Sequence, residues 1–118
     1  LLGKRFLTKF MNYLRRIKMD KILNLISIAT KANKVKTGEF LTTKALQEGE
    51  SFLVVIATDT SEKSTKRLKG IAENYGCESI VYGTKEELGK FTGKKEKSVI
   101  AITDEGLAQA IAKKYQDK

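Results

Sequence analysis

The sequence predicts an α/β fold, a three-layer α/β/α sandwich built on a small mixed four-stranded sheet. Three observations carry that expectation. Apolar residues recur at helical spacing in several stretches, four short runs rich in β-branched residues alternate with them, and glycines mark the joints. Proline is absent from the 118 residues, so the chain reads as regular elements joined by short turns rather than as linker or low-complexity sequence. A hydrophobic content of 41% over this length suits one core.

From Lys21, the residues Ile22, Leu25, Ile26 and Ala29 form a helical stripe that Asn33 ends, because asparagine tolerates the left-handed conformation. Val35 to Thr37 is a short extended segment. Gly38 then opens a helix through Leu41, Ala45 and Leu46 that stops at Gly49. Phe52 to Ala57 is continuously apolar and β-branched, the mark of a central strand buried on both faces.

Thr58-Asp59-Thr60-Ser61 supplies an N-cap for a helix whose face is Leu68, Ile71, Ala72 and Tyr75, ending at Gly76. Ser79 to Tyr82 is a third strand. Thr84 caps a short helix with Glu86 and Glu87 in its first turn, running towards Gly93. Val99 to Thr103 is the last strand, and Asp104 caps a closing helix with Leu107, Ala108, Ile111 and Ala112 inward.

Charge separates the chain into two parts. Residues 1–18 hold Lys4, Arg5, Lys9, Arg15, Arg16 and Lys18 and no acid, whereas the remainder carries 17 basic against 14 acidic residues, a net +3 of the total +9. Phe6, Phe10, Leu14 and Ile17 share a stripe with Leu7 and Met11 beside it, which predicts a basic amphipathic helix. Its apolar run is too broken to span a membrane and lacks a signal-peptide core and cleavage site, so an uncleaved cytoplasmic protein is expected. Met19-Asp20 reads as the start of the compact domain. Residues 1–18 are then either an extension not native to that domain or a functional basic arm, and residues 19–118 one domain.

Histidine is absent and Cys77 is the only cysteine. No intramolecular disulfide, no Cys/His zinc site and no histidine acid-base chemistry are available, and Cys77 reads as a small apolar filler at a turn. No cofactor or metal is expected. Gly89-Lys90-Phe91-Thr92-Gly93-Lys94-Lys95 is not a P-loop: only three residues separate its glycines, and Lys95 stands where a magnesium-binding hydroxyl belongs.

The order of elements and four segments resemble the ribosomal L-seven-Ae and L-thirty-e superfamily, whose members bind kink-turn RNA, and above all its bacterial YlxQ-like branch. The segments are Ala32-Asn33-Lys34-Val35, Gly38 to Lys44, Leu53 to Asp59, and Leu88-Gly89 with Gly93-Lys94 ahead of Val99 to Asp104. The resemblance spans residues 21–112. It implies that Gly38 begins a helix whose N-terminus approaches RNA backbone and that Lys44 contacts it. A helix N-terminus offers free N–H groups and positive dipole to phosphate, and glycine lets backbone come close. Lys34 and Lys36 add charge there.

One departure matters. Tight kink-turn binders of that family read guanine edges with an Asn-Glu pair, where this chain has Phe40 and Leu41. Loss of a bidentate base contact removes roughly 1–3 kcal/mol of discrimination. Glu39 remains as an acceptor for a guanine edge or as a helix-dipole partner. The family's second RNA-facing loop is charged here, with Lys94, Lys95, Glu96 and Lys97 suiting phosphate, while the spacing of Phe91 from Leu88 assigns it to the core.

The sequence-based expectation is therefore a monomeric, non-catalytic protein binding structured, ribosomal RNA through Lys34, Lys36, Gly38, Glu39, Phe40, Lys44, Lys94 and Lys95. Two alternatives stand beside it. One is a small phosphate-ligand enzyme centred on Asp59, which lies just past a buried strand. The other is a protein-interaction module on the same fold, docking a partner through the basic arm.

Overall fold

The computed structural model describes residues 4–5, 7–12 and 20–117. Residues 4–5 and 7–12 are helical, with Leu7, Phe10 and Met11 exposed. Phe6, Leu14, Arg15, Arg16, Ile17, Lys18 and Met19, on which the rest of that expectation rests, lie outside the described residues.

The elements that follow are α1 (Lys21–Lys31), β1 (Val35–Thr37), α2 (Glu39–Gln47), β2 (Leu53–Ile56), α3 (Glu62–Asn74), β3 (Ser79–Val81), α4 (Lys85–Phe91), β4 (Val99–Ile102) and α5 (Glu105–Gln116). The sheet order is β1-β4-β2-β3, with β4 antiparallel to both β1 and β2 and β2 parallel to β3. Every residue of the two central strands is buried.

Strand alternation divides the core into two halves. Leu53, Val55, Ile100 and Ile102 face α1, α4 and α5 through Ile22, Leu23, Ile26, Leu88, Ala108 and Ile111. Val54, Ile56 and Val99 face α2 and α3 through Leu46, Leu68 and Ala72. The result is the expected three-layer sandwich on a mixed four-stranded sheet, and Phe91 packs against the first half.

Local signals set the element ends. Asp20 accepts a hydrogen bond from the Leu23 N–H at 2.9 Å to start α1, and Asn33 at φ 60° stops the chain beyond it. Ser61, Thr84 and Asp104 cap α3, α4 and α5, and Thr84 with Glu87 forms a reciprocal capping box.

Several expected core positions differ, among them the following. In α1, Leu23 is fully buried while Leu25 is half-buried. In α2, Leu41 is exposed and Thr42 takes the inward place, because the packed stripe is Thr42, Ala45 and Leu46 and Leu41 lies 100° around the helix from it. Tyr75 is the C-cap of α3 and exposed, since the helical stripe has ended. Phe52 precedes β2 and is exposed, although its N–H bonds the Ile102 carbonyl at 2.9 Å.

Gly89 shows why a Leu-Gly pair stands in α4. A Cβ there would lie 2.1 Å from the Lys95 carbonyl oxygen and 2.5 Å from its carbon, so the 94–98 loop packs where only glycine leaves room. The Lys94 N–H bonds the Gly89 carbonyl at 2.8 Å and fixes the approach.

Gly89→Ala is expected to displace this loop and destabilise the protein by about 1–3 kcal/mol, as overpacking does; an unchanged urea midpoint would show that the backbone approach is not tight. The Thr42 hydroxyl is buried without a hydrogen-bond partner among the described residues. Thr42→Val, which removes that orphan group at nearly constant shape, is expected to leave stability equal or raise it by about 1 kcal/mol, and thermal denaturation checks the sign.

Candidate nucleic-acid interface

The sheet has two chemically different ends. At one end β1 runs into the start of α2, β2 into α3, and β3 into α4, while the 93–98 loop enters β4. The start of α1 joins them, because the Tyr82 hydroxyl, just past β3, donates to Asp20 Oδ2 at 2.8 Å. Among the described residues, four helix N-termini therefore lie at this end, each a locus of partial positive charge.

Three of the four are satisfied by side chains. Asp20 caps α1 and Ser61 caps α3, while α4 has Thr84, Glu87 and also Asp59, whose Oδ1 accepts the Lys85 N–H at 2.9 Å. α2 has no side-chain cap. Gly38 precedes it at φ 89° and ψ 164°, a conformation that glycine adopts without strain.

The Gly38 N–H bonds the Val99 carbonyl at 2.9 Å and its carbonyl accepts from Thr42, so the turn is pinned to β4. A Cβ at Gly38 would meet nothing within 4 Å. The first N–H groups of α2, on Glu39, Phe40 and Leu41, have no intrahelical acceptor and receive no side-chain cap, and the helix dipole lies behind them.

Glu39 stands beside this turn, and its carboxylate is engaged by Arg67 of α3 in a two-point pair at 2.5 and 3.1 Å. That hydrogen bonding, with a smaller coulombic attraction to the same guanidinium, holds the Glu39 carboxyl below the usual carboxylate range. The pair's stabilisation is accordingly present above the ordinary carboxylate pKa and is lost as the pH falls through the depressed value. The sequence gives no local sign of Arg67's role, since 28 residues separate it from Glu39.

The remaining expected residues divide between the two ends. Phe40 is strongly exposed, and Lys44 lies one turn behind it on the same face, 4.0 Å from Glu48. Lys94 and Lys95 are exposed on the loop that packs along α4 before Ser98 and Val99 reach the Gly38 end, where Ser98 accepts from the Ala57 N–H and Val99 from the Gly38 N–H.

Lys34 is at the far end of β1, where its carbonyl accepts from Thr103 at 2.8 Å, and Lys36 lies between the two ends. Both lysines line a shallow depression with Asn33, Glu50, Phe52 and Thr103. The structure thus brings Gly38, Glu39, Phe40 and Lys44 together and sets Lys34 apart from them.

The Asp59 carboxylate is bound at the start of α4, and the described residues contain no group of three or more Cys, Asp or Glu arranged to hold a metal. Burial pushes the Cys77 thiol up, away from the reactive thiolate. Among the described residues, no helix is long and apolar enough to cross a membrane.

The chain has relatives that match both this sequence and this geometry. The ribosomal protein L7Ae/L30e/S12e/Gadd45 family matches residues 20–112. The RNA-binding protein YlxQ of Enterococcus faecium is 33% identical over 90 residues, covering 76% of this chain and 86% of its own. The large ribosomal subunit protein eL8 of Cenarchaeum symbiosum is 36% identical over 94 residues, covering 79% and 75%.

A protein of unknown function from Bacillus halodurans C superposes with a TM-score of 0.74 at 32% identity, over 79% of this chain and 94% of its own. The 15.5 kD RNA-binding protein of Giardia lamblia shares the fold at a TM-score of 0.68 and 23% identity, over 80% and 84%. With residues 20–112 spanning every element from α1 into α5, the chain belongs to the ribosomal protein L7Ae/L30e/S12e/Gadd45 family.

Proposed function

We propose that this protein binds structured RNA, kink-turn-like and ribosomal, as a monomer in the cytoplasm and without catalysis, through the sheet end at which α2 begins. The observation that carries the reading is the uncapped N-terminus of α2, with open space at Gly38 and Lys44 on the flank. Free N–H groups in that setting donate to a phosphate oxygen, and the nearby lysines add attraction at longer range.

The named relatives support the same reading, since one is an RNA-binding protein and another a ribosomal protein. Arg67 contributes by neutralising Glu39, whose bare carboxylate would oppose an approaching phosphate. Lys94 and Lys95 extend the cationic surface along the loop, and Lys36 and Lys34 lie progressively farther from the turn. Residues 19–118 form the RNA-binding unit, with residues 1–18 an extension that the site does not need.

Lys44→Ala combined with Lys95→Ala is expected to weaken binding to a kink-turn RNA and to flatten the plot of log affinity against log salt by roughly 0.7–0.9 for each phosphate no longer neutralised. Lys34→Ala should change both least. Unchanged affinity and slope in the double variant would place the interface elsewhere. Deleting residues 1–18 is expected to preserve selectivity for the kink-turn RNA over a plain duplex; collapse of that preference in a filter-binding assay would make the basic arm the recognition element.

A further inference from the structure

Phe40 is 79% exposed, more than any other large hydrophobic side chain among the described residues. Single exposed apolar residues are ordinary on protein surfaces. This one occupies the second position of the uncapped helix, and the chemistry around it is selective in what it leaves out.

The first turn of α2 carries Glu39, Phe40, Leu41 and Thr42. Both Glu39 oxygens are held by Arg67, Leu41 has no polar side-chain atom, and the Thr42 hydroxyl is buried. Glu39 is the one side chain of that turn with exposed polar atoms, and both of its oxygens already accept from Arg67. A flat aromatic face remains, with the Lys44 ammonium one turn behind it on the same side of the helix, their Cβ atoms about 5–6 Å apart.

An exposed aromatic next to a cation is the arrangement that stacks an unpaired base and holds its phosphate. We propose that Phe40 is a base-stacking residue, so that this site selects RNA presenting an unpaired nucleobase and does so with little regard to which base it is. The inference rests on the RNA-binding reading above and adds to it the means of selection. Stacking uses the π face common to all bases, whereas discrimination among them requires edge contacts, for which this turn offers only a carboxylate already engaged by Arg67.

The test uses the full chain and two RNAs of equal length, a hairpin with 2-aminopurine at an unpaired internal-loop position and a fully paired duplex. Binding is expected to change the 2-aminopurine fluorescence, and Phe40→Ala to lower affinity for the loop RNA by about tenfold, the loss of one stacked base. Phe40→Tyr should keep the loop affinity, and Phe40→Ala should leave duplex affinity as it was. Exchanging the unpaired base among adenine, guanine and uracil should shift affinity by less than Phe40→Ala does.

Two outcomes overturn the stacking role while leaving RNA binding intact. One is Phe40→Ala without effect on either RNA while Lys44→Ala with Lys95→Ala weakens both. The other is strong preference for guanine abolished by Glu39→Gln. A wild-type chain that binds neither RNA overturns the RNA reading itself, and an exposed Phe40 that instead serves a protein contact belongs to that outcome.

Discussion

The pairing of β2 with β4 is the constraint on which the rest of this molecule depends. Both strands are apolar at every position, so neither face of the sheet can remain in water, and helices must cover both sides. Because β2 and β3 are parallel while β4 runs against them, the chain crosses from the ends of β1, β2 and β3 into α2, α3 and α4 at one edge of the molecule. The gathering of helix N-termini is thus a consequence of burial and strand direction, and it occurs whatever the surface residues are.

That gathering creates an electrostatic problem which the local sequence resolves unevenly. Asp20, Asp59, Ser61, Thr84 and Glu87 place oxygen acceptors on the starts of α1, α3 and α4. At α2 a glycine stands in the cap position, and the nearby carboxylate of Glu39 is drawn aside by Arg67. One of these four helix starts is left able to meet an external anion. The same turn is anchored to β4 by the bond from the Gly38 N–H to Val99, so the uncapped start of α2 is tied to a central strand of the sheet.

The 93–98 loop is held to the same frame by a different device. Its backbone lies against Gly89, is tied to Gly89 and Lys85 by hydrogen bonds, and reaches the sheet through Ser98, which accepts from Ala57 and from the Thr60 hydroxyl. Close backbone approach positions the loop while Lys94 and Lys95 stay in solvent. In the RNA-binding reading proposed above, lysines displayed in this way suit backbone phosphates, and Phe40 is the most exposed apolar side chain at the α2 start.

Much of this was determined by the sequence alone. Apolar periodicity, the β-branched runs and the capping residues define the elements to within a residue or two, because those signals act over one or two turns of chain. The motif order also singled out Gly38 to Lys44, whose special backbone requirement is written locally in a glycine. Tertiary structure decided the phase of α2, turning Thr42 inward and Leu41 outward, since that depends on how the helix seats on β4 and β1. It also decided that Lys34 stands away from the Gly38 turn, that Asp59 caps a helix 26 residues distant, and that Arg67 engages Glu39. These are contacts between residues far apart in the chain, brought together only when the buried strands fix where each helix begins.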